Sequence, residues 1–90
     1  YYLEKWDKAR KYCEKVIELN PNDAQVYGNL ALLLASDHFK EYIQAKKYCE
    51  KVIELKPKDS QAYYNLAVLL ENEYFKEYTQ AKKYYEMAIE

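Results

Sequence analysis

The side chains best equipped for chemistry in this 90-residue chain are one histidine, two cysteines and the many carboxylates, and their spacing favours recognition over catalysis. His38 sits in a turn without a repeated partner, so a His-based metal cluster or a Ser–His–Asp arrangement finds no support. Gly28 is the single glycine, which leaves no phosphate-cradling loop. The carboxylates are accounted for by helix surfaces. We therefore expect no enzyme activity, no catalytic residue, no bound metal and no cofactor. The amides are more suggestive: Asn29 and Asn65 lie 36 residues apart in matching surroundings. An asparagine amide both donates and accepts, so it can pair with one peptide unit of an extended ligand. The plainer reading of the same residues is solvated polarity on an open helix face.

That 36-residue interval governs the whole chain. The octapeptide YCEKVIEL at Tyr12–Leu19 returns unchanged at Tyr48–Leu55, then decays to YYEMAIE at Tyr84–Glu90. Residues 1–54 laid over 37–90 share 31 identities in 54 positions. A period of this length implies a solenoid whose units stack on their neighbours, placing function on an extended surface. Cys13 and Cys49 occupy one register position in successive units, so their side chains point in parallel. Packed helices sit about 8–10 Å apart, whereas a disulfide needs Cα atoms within about 7 Å and converging side chains. Both cysteines read as small buried hydrophobes.

Composition narrows the partners. Fourteen Lys plus Arg against fifteen Asp plus Glu give a net charge of −1, which argues against a nucleic-acid binder. The longest apolar run, Leu30–Ala35, falls far short of the ~20 residues of a membrane span. No membrane or nucleic-acid partner is expected. Twelve tyrosines supply amphipathic bulk suited to packing layers that are partly wet. No signal-peptide pattern opens the sequence and no initiator methionine is present. The compartment stays open, with the cytoplasm favoured.

The elements follow from the punctuation. Pro21 and Pro57 sit one period apart in ELNPND and ELKPKD, where proline stops one helix and Asp23 or Asp59 can cap the next. After each cap comes a leading helix with a stripe at i, i+3, i+4, i+7: Tyr27, Leu30, Ala31, Leu34, then Tyr63, Leu66, Ala67, Leu70. A polar break (Ser36-Asp37-His38 or Asn72-Glu73) precedes a trailing helix with the stripe Tyr42, Ala45, Cys49, Val52, Ile53 or Tyr78, Ala81, Tyr85, Ala88, Ile89. The chain opens on a trailing helix alone, with Trp6, Ala9, Cys13, Val16 and Ile17. The pattern predicts an all-α protein of five helices and no strand.

This arrangement resembles the tetratricopeptide repeat family. The signature of aromatic, Leu, small and large residues, then a second-helix Ala, a bulky residue and a closing Pro is met by Tyr27, Leu30, Ala31, Leu34, Ala45, Cys49, Val52 and Pro57. It is met again by Tyr63, Leu66, Ala67, Leu70, Ala81, Tyr85 and Ala88. Two residues beyond the family's usual period fall near His38-Phe39 and Tyr74-Phe75. Phe39 and Phe75 are expected to anchor that longer turn on the core. The longer period also resembles Sel1-like repeats, although the Pro-containing joint fits the tetratricopeptide type better. The resemblance implies a right-handed superhelical stack of antiparallel helix pairs, about two and a half repeats long. One domain would span 1–90: a half repeat over 1–23, a full repeat over 24–59 and a truncated helix pair over 60–90.

In such a stack the leading helices line a concave groove for a peptide or partner protein. On that face lie Gln25, Asn29, Leu32 and Ser36 in one repeat, and Gln61, Tyr64, Asn65, Val68 and Asn72 in the next. Leu32 and Val68 could equally pack between adjacent leading helices. The set holds no Lys or Arg, so a clamp for acidic chaperone tails is not expected. The lysines gather on the trailing helices among glutamates at spacings of three and four, the mark of a solvated outer face. The expected function is a protein-interaction scaffold. Its rival is a structural array, engineered or excised, that self-associates by end-to-end stacking or helix exchange through Leu3, Trp6, Tyr84, Met87 and Ile89. RNA binding by a related helical-hairpin repeat is disfavoured by the charge balance.

Overall fold

In a computed structural model of the chain, the described residues are 2–36, 39–72 and 74–89, with side chains described from Lys5 onward. Asp37, His38 and Glu73, and with them all of the polar breaks but Ser36 and Asn72, lie outside the described residues, as does the side chain of Leu3. The described residues form five helices and no strand: α1 (Tyr2–Leu19), α2 (Ala24–Leu34), α3 (Tyr42–Leu55), α4 (Ser60–Leu70) and α5 (Tyr78–Ile89). Each packs on the next, giving a slab of 38 × 28 × 16 Å. The contact is far more extensive within the pairs α2–α3 and α4–α5 than across α1–α2 or α3–α4.

The proline joints form as the sequence predicts. Asp23 accepts a hydrogen bond from the Val26 N–H through Oδ1 at 3.3 Å, and Asp59 from the Gln61 N–H at 3.0 Å, relieving the orphan donors of α2 and α4. A further tie recurs at both joints. Tyr27 donates its phenol to the Pro21 carbonyl at 2.7 Å, and Tyr63 to the Pro57 carbonyl at 2.6 Å. The first aromatic of each leading helix thus fills the core and latches the joint before it.

The longer turn inside each pair is also repeated closely. Lys40 and Lys76 adopt left-handed backbone conformations, with φ of 51° and 52°. Their N–H groups donate to the Ser36 and Asn72 carbonyls, both at 2.8 Å, and the next residues, Glu41 and Glu77, donate to Leu34 and Leu70 at 2.7 and 2.9 Å. The carbonyls left open at the ends of α2 and α4 are thereby satisfied. Phe39 and Phe75 fold back from this turn onto the core.

Leu30, Leu34, Leu66 and Leu70 are fully buried at the centre, each contributing roughly 1.5–3 kcal/mol on leaving water. Ala31 and Ala67, at the small position of the leading helices, let the trailing helices approach closely. Between repeats runs a polar stitch that periodicity alone does not announce. Arg10 donates to both Glu41 carboxylate oxygens, at 2.6 and 3.1 Å, and lies 5.2 Å above the Phe39 ring. One period on, Lys46 pairs with Glu77 at 3.7 Å and lies 5.3 Å above Phe75.

One element of the predicted packing differs. Ala9 belongs to the expected stripe of α1, yet it is exposed. Its counterparts Ala45 and Ala81 are 0% and 1% exposed because each presses on the leading helix of its own pair. No described leading helix lies against that side of α1. Cys13 and Ile17, on the side facing α2, do pack on the core.

Candidate partner-binding groove

The leading helices α2 and α4 stand side by side with α3 behind them, and between them lies a cavity of about 300 Å³. Cys49 and Val52 of α3 form its floor. Gln25, Gly28, Asn29 and Leu32 line one wall, and Gln61, Ala62 and Asn65 the other, with Lys56 and Asp59 at the mouth. Gly28 adds to the depth. A Cβ at Gly28 would meet Val52 Cγ2 at 3.9 Å, an ordinary contact, so the missing side chain opens the floor without being sterically required.

The amides of the two walls are pre-arranged alike. Gln25 Nε2 donates to Asn29 Oδ1 at 3.3 Å, and Gln61 Nε2 donates to Asn65 Oδ1 at 2.9 Å. With each carbonyl oxygen engaged by the preceding turn, the asparagines present their Nδ2–H₂ groups as donors. A ligand suited to both walls therefore carries acceptors, as the carbonyls of an extended peptide do. Burial, with a smaller contribution from Glu50, pushes the Cys49 thiol up to about 12. The floor thus carries a neutral thiol and no nucleophile.

Five of the nine groove residues read from the sequence line this cavity: Gln25, Asn29, Leu32, Gln61 and Asn65. Leu32 is 57% exposed and Val68 46%, so neither is consumed by packing between the leading helices. Tyr64 lies on the far side of α4, where its ring meets Tyr85 edge-on with centroids 5.7 Å apart. Tyr85 in turn donates to Glu71, which pushes its phenol up to about 12. Ser36 and Asn72 serve the turns instead. Ser36 Oγ donates to the Leu33 carbonyl at 2.6 Å, and Asn72 Oδ1 accepts from the Tyr74 N–H at 2.8 Å.

Lys56 is the cation that sequence reading left off the groove. It caps the end of α3, where the previous joint has Asn20, and that register difference between KPKD and NPND was its only signal. Cys49 and Val52 belong to the trailing-helix stripe as expected, but their second role as cavity floor depends on how far α2 and α4 stand apart. Among the residues read as end contacts, Trp6 is half-buried and Tyr84 stacks on Tyr63 with centroids 6.2 Å apart. Met87 and Ile89 are exposed, Ile89 to 84%. Among the described residues no cluster of three His, Cys, Asp or Glu is placed to hold a metal ion, and no helix is long and apolar enough to cross a membrane.

Comparison with known proteins agrees with this architecture. The crystal structure of MamA superposes with a TM-score of 0.82 over 98% of this chain and 49% of that one, at 26% identity. A MamA double mutant gives the same TM-score over 98% and 47% of the two chains, at 17% identity, a likeness of fold alone. The chain thus spans about half the length of the solved structures it matches. No curated protein matches it. A family model for the tetratricopeptide repeat matches residues 12–47 and again 48–83, most of the sequence, and this chain belongs to that family.

Proposed function

We propose that the chain is a non-enzymatic protein-interaction module that holds an extended peptide segment of a partner in the groove between α2 and α4. The observation that carries this reading is the matched pair of asparagine donors, each oriented by a glutamine one turn earlier, on facing walls of the cavity. The floor of Cys49 and Val52 accepts a small apolar side chain, Leu32 adds apolar surface at the rim, and Lys56 can meet an acidic group at the mouth. Replacing Asn29 and Asn65 together by Ala is expected to weaken binding of a verified partner by roughly 1–3 kcal/mol, with helicity nearly unchanged. Calorimetric titration checks the affinity and circular dichroism the fold. Unaltered affinity would move the site off this face.

A second reading, self-association, is supported by the exposed Met87 and Ile89 at the α5 end. Solution mass by light scattering up to several hundred micromolar distinguishes the two. A strictly monomeric mass removes the self-associating reading and leaves the groove.

A further inference from the structure

Ile43 stands on the surface at a register position where the other two trailing helices carry Asp7 and Thr79. It is 53% exposed at the start of α3, so burial does not account for it. Beside it the turn between α4 and α5 lays Tyr74, itself 57% exposed, over Tyr42, with ring centroids 5.4 Å apart and planes tilted by 36°. Phe75, packed on the core, holds the Tyr74 ring edge-on at 5.0 Å between centroids. At the register of Tyr74 the first turn has His38, so neither exposed apolar residue is demanded by the repeat. Lys40, Glu41, Tyr42, Ile43, Gln44 and Tyr74 enclose a notch of about 260 Å³, the size of a peptide subsite and below that of most small-molecule pockets. Both turns that form it lie inside the stack. By the same register a further turn would fall on Tyr78 and not on this notch.

The notch offers apolar faces and hydrogen-bond donors. Tyr27, Tyr63 and Tyr85 donate their phenols within the chain, whereas those of Tyr42 and Tyr74 have no partner among the described residues. Glu41, the one acid on the wall, is already held by Arg10 at 2.6 Å. Three exposed lysines surround it: Lys40 on the wall, Lys47 one turn beyond Ile43 on α3, and Lys76 two residues past Tyr74. None of them makes an ion pair among the described residues. Of the ways a protein takes up a peptide, strand addition needs a sheet edge, and the described residues form no strand. A docked helix needs a groove several turns long, which one notch does not supply. An extended proline-containing segment fits. Its rings lie on aromatic faces, its carbonyls are free to accept, and each proline lacks the N–H that would need an acceptor here.

We propose that the notch between the α2–α3 and α4–α5 turns is a second peptide-binding surface, which docks an acidic, proline-containing segment in polyproline II conformation. A proline packs on Ile43 and the Tyr42–Tyr74 rings, the two phenols donate to carbonyls beside it, and flanking carboxylates meet Lys40 and Lys47. No residue lines both this notch and the groove between α2 and α4, so the groove stays free for its own ligand.

The test uses the full chain and three labelled nonapeptides in anisotropy titrations, built from repeats of Glu-Pro-Pro, Lys-Pro-Pro or Glu-Ala-Ala. The Glu-Pro-Pro peptide is expected to bind at least about tenfold more tightly than either of the others. Ile43→Thr/Tyr74→His, which installs the residues of the sibling repeats, should weaken it by about tenfold or more, with helicity unchanged by circular dichroism. Lys40→Asn/Lys47→Gln should weaken it similarly and flatten its dependence on salt, asparagine being tolerant of the left-handed backbone at Lys40. Should the aromatic variant lose helicity, the lysine variant, changed only at exposed positions, decides. Asn29→Ala/Asn65→Ala should leave the affinity unaltered. Equal binding of the Glu-Pro-Pro and Glu-Ala-Ala peptides would reduce the surface to charge alone and overturn the proposal, as would an affinity indifferent to the notch variants. Binding lost in the asparagine variant would assign the peptide to the groove instead.

Discussion

The two helix pairs are built on nearly the same sequence and differ most on the outward face of their leading helices. In α2–α3, Gly28 leaves the Val52 side chain uncovered in the cavity between the leading helices. In α4–α5 the same register position is Tyr64, which meets Tyr85, itself tied to Glu71. The buried leucines, the phenol-to-proline ties and the left-handed lysines are common to both pairs. Interior and joints therefore define the repeat, while the outward positions of the leading helices are where one repeat becomes different from another.

If the interior is common property, deleting it should hurt both pairs alike. Leu30→Ala and Leu66→Ala are each expected to cost about 2–5 kcal/mol in urea unfolding. A much smaller loss for one of them would mean that the two cores are not equivalent. The joints allow a gentler comparison: Tyr27→Phe and Tyr63→Phe each remove one phenol bond to a proline carbonyl, for about 1 kcal/mol apiece. Clearly unequal losses would show that one joint is held by other means.

Gly28→Ala tests the variable position directly. The new methyl enters an ordinary contact with Val52, and a mid-helix glycine is relieved, so stability should rise by about 0.5–1 kcal/mol. The groove becomes shallower, and affinity for a groove ligand should fall. A destabilised variant would show that the open position is demanded by the fold.

The smallest expected effect on stability lies at Tyr85, because its link to Glu71 is exposed. Its phenol is raised from an ordinary 10.0 to about 12, first by the Glu71 hydrogen bond and then by desolvation and nearby charge. A raised acid stays protonated longer in the folded state. The link thus contributes fully below pH 10 and fades as pH climbs towards about 12. Titration of ring-labelled tyrosine by NMR should find Tyr85 ionising late, and Glu71→Ala should return it towards 10. Late ionisation that survives Glu71→Ala would assign the shift to burial.

Much of this architecture could be read from residue types alone, because each unit repeats its own local rules. Pro21 and Pro57 placed the joints, Asp23 and Asp59 the caps, and the Tyr–Leu–Ala–Leu spacing the buried stripe. Phe39 and Phe75 reach the core as their recurrence in the longer turn suggested. Relations between units were harder to read. Arg10 reaches Glu41 across 31 positions only because the stack brings the end of one turn over the preceding trailing helix. Ala9 matches Ala45 in sequence, but burial depends on a neighbour rather than on the residue itself. The groove was legible in part: Asn29 and Asn65 stand on its walls, whereas Ser36 and Asn72 are close enough to the turns to be drawn into their hydrogen bonding. Periodicity reports what a helix can bury. It does not report how far apart two helices with the same stripe will stand.

The uneven packing along the stack has a mechanical consequence for that spacing. Because α2 is held broadly by α3, while α3 touches α4 more lightly, the two walls of the groove belong to different helix pairs. Its floor shares a pair with the α2 wall, and its opposite wall shares one with α5. A calliper is laid out in the same way, with the anvil on one jaw, and a small shear at the α3–α4 contact is the displacement that would change the gap. Such a shear would leave the depth set by Cys49 and Val52 unchanged and alter the width alone. Under the proposed function, side chains of different girth would then fit between the same two asparagines without rebuilding either pair.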